Sequence, residues 1–292
     1  MSEPSSRRSF LFGRQATADD HWSKFLAALR RECRGPVTLV ADHQARLNPL
    51  LLDDVIQARH LCQTHDVVMA LEGVPLPESD QSKLVLWVQA GSAWGSVIPL
   101  GDTGMWRVDA GCPMAVAQAA GLLAADWPDS MTNVAQWFAQ AYRGEPLALT
   151  PLADHLVSVD WMLPDGTIEV FGAFGTSDSQ PLSSLSAQKR VPALFELAMN
   201  PDVQQAFQAR QWPLRFHLDA LMDQASVNLA HVFVGHGGAL GWLVAATFHK
   251  RESALQPASG GKEMAWLADI DQAIKRIVDP DEVFLSLPDQ TE

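Results

Sequence analysis

The sequence predicts an α+β fold, and three observations predict it. Segments with apolar residues at helical spacing alternate with short apolar runs of strand character through the first half of the chain. Residues 155–175, HLVSVDWMLPDGTIEVFGAFG, alternate apolar and polar positions on both sides of a Pro-Asp-Gly turn, the pattern of an antiparallel hairpin. With 292 residues and 47% apolar content, the chain can bury a sizeable core.

The elements follow in order. An amphipathic helix over 21–33 leads through Gly35-Pro36 into the strand VTLV. Asn48-Pro49 then opens a helix over 50–62, with Asp53 and Asp54 in its first turn, where acids complement the helix dipole. A strand over 66–71, a loop holding Gly73, Pro75 and Pro77, and a second strand over 83–88 come next. Residues 91–102 are rich in Gly and Ser and read as a loop. Residues 106–123 read as a strand that breaks at Ala110-Gly111 and runs into an Ala-rich helix. Beyond the hairpin, residues 176–186 form a polar linker, and helical character returns over 191–210. Residues 231–248 read as two strands around a Gly-rich turn, and a last helix ends at Asp279-Pro280.

Charge and cysteine content exclude several functions. There are 34 acidic and 21 basic residues, a formal net charge of −13 that repels a phosphate backbone and an anionic bilayer, so nucleic acid is excluded as a partner. No window reaches the ~18 apolar residues of a membrane span. Cys33, Cys62 and Cys112 are isolated, with no Cys-x-x-Cys pair and no disulfide framework, as expected of reduced thiols in a cytoplasmic protein. Near the N-terminus, SRRSFLFGR resembles a twin-arginine export motif, but Asp19 and Asp20 stand where export needs ~7–15 apolar residues. Cytoplasmic location is the expectation and export the alternative. The Arg7-Arg8 segment also resembles the N-termini of ferredoxin-type accessory proteins, which makes it a docking tail for a redox partner, or else a plain basic tail.

Four segments, taken in order, resemble the FAD-binding oxidoreductases of the vanillyl-alcohol oxidase and p-cresol methylhydroxylase type. They are Pro49 with Asp54 and Val55 at a helix start; the strand and turn from Val67 to Gly73; Val108, Ala110 and Gly111 at a strand-to-helix turn; and Asp154-His155 ahead of Pro164-Asp165-Gly166. The tail IKRIVDPDEVF is similar to the end of the family's last helix. The resemblance implies a two-subdomain FAD-binding fold with a shortened α+β cap. It divides the chain into a tail and leading helix (1–34), an FAD-binding-type domain (35–182), a reduced cap (183–262) and a helix returning to the flavin domain (263–292). It also implies FAD as cofactor, with Gly73 in the loop around the pyrophosphate and Ala110, Gly111, Asp154, His155 and Val157 along the rest of it. A glycine at a strand–helix junction lets backbone N–H groups approach a phosphate with no Cβ in the way.

VFVGHGGALGW, residues 232–242, is similar to a Gly-His-x-Gly-Asp-Gly-Asn stretch of the lactate and glycolate dehydrogenase branch, with Ala239 in place of the Asp. His236 is the candidate catalytic residue, a proton acceptor or substrate contact; the alternative is a structural histidine in a tight turn. No metal site is expected, because His231, five residues away, would face the other side of a strand. Cys112 reads as a small buried thiol, and neither Gly-x-Ser-x-Gly nor a Walker-type loop occurs.

The glycine loops are degenerate. Residues 71–80, LEGVPLPESD, hold one glycine, two prolines without an N–H and three acids, and no glycine lies between Gly121 and Gly144. Two functions follow. One is an FAD-linked dehydrogenase subunit that oxidises a small 2-hydroxy acid such as glycolate or lactate. The other is a relative that has lost flavin binding and serves as a partner or assembly subunit of a redox complex, through Trp-rich surfaces and the Arg-rich tail. The two differ in whether loop 71–80 offers N–H groups to a phosphate or faces it with carboxylates.

Overall fold

A computed structural model describes residues 18–123, 131–141, 152, 155–175, 181–208, 214–222, 227–250 and 268–288. The Arg7-Arg8 tail, Asp154 and the loop 256–262 lie outside the described residues. The fold is mixed α+β, with two sheets.

The first sheet is built from β1 (Val37–Ala41), β2 (Gln44–Leu47), β3 (Val68–Leu71) and β4 (Val85–Val88), in the order β1-β2-β4-β3. β1 and β2 form an antiparallel hairpin, whereas β2, β4 and β3 run parallel. Helices α1 (Ala18–Glu32) and α2 (Leu52–His65) pack together beside it, with Phe25 edge-on to His65 at 5.8 Å. The Pro49…Asp54 pattern has a structural explanation here. Asp54, at the third position of α2, is buried, and its carboxylate accepts the N–H groups of Arg34, Gly35, Leu50 and Leu51 at 2.8–3.4 Å. One side chain thus caps α2 and ties the entry of β1 to it.

The second sheet is antiparallel throughout. It holds β5 (Val97–Pro99), β6 (Met105–Asp109), β7 (Leu156–Met162), β8 (Ile168–Phe171) and β9 (Trp242–His249), in the order β5-β6-β9-β7-β8. The central strand, β9, is buried along all but its last residue, as its nearly continuous apolar run requires. It comes from within the stretch 183–262 yet sits between strands of 35–182. The short helices α3 (Met114–Ala119) and α4 (Val134–Gln140) lie between the sheets, and α5 (Leu185–Ala198), α6 (Pro201–Gln208) and α7 (Ala268–Val278) complete the described residues.

Three local departures from the expected elements have physical causes. β2 and β5 are additional strands; β2 turns only Ala45 and Leu47 inward, too short an alternation to read by pattern. Residues 229–233 form a 3-10 helix, not a strand, because the Asn228 side chain accepts the Ala230 N–H and starts a tight turn. α5 begins inside the expected linker, with Ser184 as its N-cap; the Glu169 carboxylate accepts the N–H groups of Ser183 and Ser184 and fixes that start.

The C-terminal segment returns to the first sheet. Phe284 bridges Met69 of β3, and buried Asp80 accepts the N–H and hydroxyl of Ser286 at 2.7 and 2.8 Å. Lys275, also buried, donates to the carbonyls of Ala239 and Phe284 and to Asp279. Burial pulls its pKa down, and Asp279 opposes that by favouring the charged form.

Candidate functional site

Parallel strands β2, β4 and β3 end together at Leu47, Val88 and Leu71. Ligands of such sheets bind outside these carboxyl ends, so the loops that follow them are the place to look. Across from them lie the turn at Ala110-Gly111 and helix α4, which form the near side of the second sheet's half of the molecule. The structure brings Gly73, Ala110 and Gly111 to this seam.

The seam is closed by direct contact. A Cβ on Gly73 would sit 2.3 Å from Nε2 and 2.7 Å from Cδ of Gln136 on α4, so that side chain fills the space beside the glycine. Both ends of the Gln136 amide are bonded: Nε2 donates to the Glu72 carbonyl at 2.8 Å, and Oε1 accepts the Thr132 N–H and hydroxyl at 2.8 and 3.0 Å. One turn on, Gln140 donates to the Gly73 carbonyl at 3.2 Å. Asn133 caps α4 through the Gln136 N–H and reaches the Ala90 carbonyl at 3.4 Å.

Gly111 is closed by backbone. A Cβ there would lie 2.0 Å from the Gly91 carbonyl oxygen and 2.7 Å from the Trp94 ring, so the missing side chain admits the segment that follows β4. Ala110 is buried, its N–H donates to the Val244 carbonyl and its carbonyl accepts the Ala135 N–H at 2.8 Å. Cys112, next in line, is buried, and burial, helped by Asp109, raises its thiol pKa. A thiol held protonated in this way is a packing residue.

Loop 71–80 uses several of its N–H groups within the fold. The N–H of Glu72 donates to Val88, that of Val74 to Leu71 and that of Asp80 to Pro77, while Pro75 and Pro77 have none. Its carboxylates do not face the seam as a barrier either. Glu72 pairs with Arg46 at 2.6 Å, and Asp80 pairs with Lys83 at 2.9 Å and holds Ser286. Glu72 and Asp80 serve the fold, Glu78 is exposed, and Gln136 lies against one side of Gly73, which is itself exposed.

The remaining candidate residues lie apart. His155 is buried at the start of β7, its Nε2 donating to the Leu122 carbonyl at 2.6 Å and its ring 5.2 Å from Phe248. Val157 is half-buried on β7, with its carbonyl accepting from Asn228. His236 is 2% exposed, its Nδ1 accepts the Gly238 N–H at 3.1 Å, and its ring stands edge-on to Trp161 at 4.8 Å. Its Gly-rich turn is pinned to α4 by the N–H groups of Gly235 and Gly237, which donate to Phe138 and Ala139. Among the described residues, no group of three or more His, Cys, Asp or Glu side chains is arranged to hold a metal, and no helix is long and apolar enough to cross a membrane.

Sequence reasoning missed Gln136, Asn133 and Gln140, which make the seam. Of the described tryptophans, Trp22, Trp137, Trp161 and Trp242 are core, and Trp87, Trp94 and Trp106 are half-buried. Among the described residues, the exposed large apolar side chains are Leu, Val, Ile and Met.

No family model and no curated protein matches the chain. It is similar to solved structures of Phl p 4.0202, a glucose dehydrogenase (13% identity, TM-score 0.44, 81% of this chain and 44% of that one). It is also similar to a carbohydrate oxidase from Microdochium nivale (14%, 0.43, 80% and 43%). Alkyldihydroxyacetonephosphate synthase is a third such structure (13%, 0.40, 70% and 31%). This chain spans less than half the length of each of the three.

Proposed function

We propose that the chain is a partner or assembly subunit of a redox complex, built on a p-cresol methylhydroxylase-type scaffold that does not itself hold a flavin. The observation that carries this reading is the Gln136 side chain lying against Gly73, with both ends of its amide bonded to protein groups. A dinucleotide at that turn would have to displace these bonds, beside a loop that holds two prolines and uses the N–H groups of Glu72, Val74 and Asp80 within the fold. The test is purification of the tagged chain from its native host. This function expects an oxidoreductase subunit that carries the flavin to co-purify in constant ratio, with 2-hydroxy-acid dehydrogenation present in the complex and absent from the isolated chain. A chain that purifies alone and oxidises glycolate or lactate with an artificial acceptor contradicts it.

A second reading, an FAD-linked dehydrogenase of a small 2-hydroxy acid, is supported by the four sequence segments occurring in the family's order. It requires α4 to withdraw from Gly73 and His236 to become accessible, and the same purification decides between the two.

A further inference from the structure

Four segments far apart in the sequence are joined in a ring beside the seam. Loop 71–80 is bonded to α4, whose Gln136 donates to the Glu72 carbonyl at 2.8 Å and Gln140 to the Gly73 carbonyl at 3.2 Å. α4 in turn holds the Gly-rich turn 235–241, where the N–H groups of Gly235 and Gly237 donate to Phe138 and Ala139 at 2.9 and 2.7 Å. That turn is tied to the C-terminal segment by Lys275, which donates to the Ala239 carbonyl at 2.8 Å and to the Phe284 carbonyl at 3.3 Å. Residues 283–287 then close the ring on loop 71–80, where Asp80 accepts the Ser286 N–H and hydroxyl at 2.7 and 2.8 Å. Buried Leu285 sits at the junction. A Cβ on Gly238 would lie 3.1 Å from its Cδ1 and 3.7 Å from Val74 Cγ1, so segment, turn and loop meet at one point.

The fastenings of residues 283–287 are carboxylates as well as main chain. The Met69 N–H donates to the Val283 carbonyl at 2.8 Å, and Phe284 makes an isolated bridge to Met69. The N–H groups of Val283 and Phe284 go to the Asp279 carboxylate at 3.1 and 3.0 Å, as that of Ser286 goes to Asp80. Asp80, Lys275 and Asp279 are all buried. A buried charge that loses a partner is left uncompensated, so these fastenings hold or fail together. Linked groups of this kind open as a cooperative unit. α4 is bonded at once to loop 71–80 and to turn 235–241, and residues 283–287 hold those two together. The ring therefore ties the position of α4 on Gly73 to a segment that does not belong to α4 at all.

We propose that residues 283–287 are a strap that locks the seam: they hold loop 71–80 and turn 235–241 together, and α4 withdraws from Gly73 only when the strap lets go. The lock is the same under either function considered above. Hydrogen exchange of the full chain tests it. In the wild type, the N–H groups of Val74, Asp80, Gly235 and Gly237, all bonded within the ring's elements, are expected to share one degree of protection, lower than that of β9. Ser286→Ala, at the loop end of the strap, speeds exchange at all four by one common factor, several-fold. Leu285→Ala, at the junction, speeds them by a larger common factor. Acceleration that is absent, or confined to Val74 and Asp80 in Ser286→Ala, overturns the inference. So do four N–H groups of unrelated protection in the wild type. Protection equal to that of β9 overturns it too, because the ring then opens only when the whole fold does.

Discussion

Gly73 and Gly111 face the same seam, and both are glycines that a side chain could not replace without displacement, but they are closed in different ways. At Gly111 the obstruction is backbone: the Gly91 carbonyl, in the segment that follows β4, cannot yield without moving the main chain. At Gly73 it is one flexible side chain, Gln136, laid over a turn with φ +88°. The difference teaches which sequence signal reports the fold and which reports a ligand. Gly111 is explained by the close approach of the Gly91–Trp94 segment. Gly73 is a turn whose open side the protein fills with its own amide, so only there does a single side chain stand between the fold and a binding surface.

Substitutions can break or sharpen that contrast. Gly111→Ala has the largest expected effect, a loss of about 3 kcal/mol or more in urea-denaturation stability, because the added methyl meets backbone on one side and the Trp94 ring on the other. Gly73→Ala costs about 1–3 kcal/mol, the range for a left-handed residue other than glycine. Part of that cost comes from Gln136, so a cycle with Gln136→Ala shows coupling of about 0.5–1 kcal/mol, the double variant losing less than the sum. Equal costs at Gly73 and Gly111, or strict additivity with Gln136→Ala, would erase the distinction. Asn133→Ala removes the α4 cap and its tie to Ala90 and costs about 1 kcal/mol, read in the same denaturation series.

The smallest effect is a control away from the seam. Burial raises the Glu169 pKa, but bonds from Ser184 and Ser183 outweigh it, and the net shift is downward. A depressed carboxylate pKa contributes stability above the ordinary Glu range and loses it as pH falls through the folded value. The stability gap between wild type and Glu169→Gln is therefore largest near neutral pH and shrinks in acid, while the Gly111→Ala gap, which involves no titrating group, holds steady over the same range.

Much of the fold was legible because its elements announce themselves locally. The periodicity of α1 and α2, the Pro-Asp-Gly turn between β7 and β8, and the Asp279-Pro280 stop after α7 are all short-range signals. β9 was read as a strand, but its place at the centre of the second sheet depends on long-range pairing with β6 and β7, which no local pattern encodes. The candidate site was legible in position and not in occupancy. Gly73 and Ala110 both touch α4, through Gln136 and Ala135, yet Gln136 looks in sequence like any polar residue on a short helix, and its importance arises only when α4 docks on the turn. The acids of loop 71–80 misled for the same reason, since Asp80 finds Ser286 at the far end of the chain.

The most direct measurement is the visible absorption spectrum of the purified chain, taken before and after dialysis against FAD, with Gln136→Ala alongside. A closed seam gives a wild-type protein that is colourless and remains so. A yellow wild-type protein that retains one flavin per chain would contradict it.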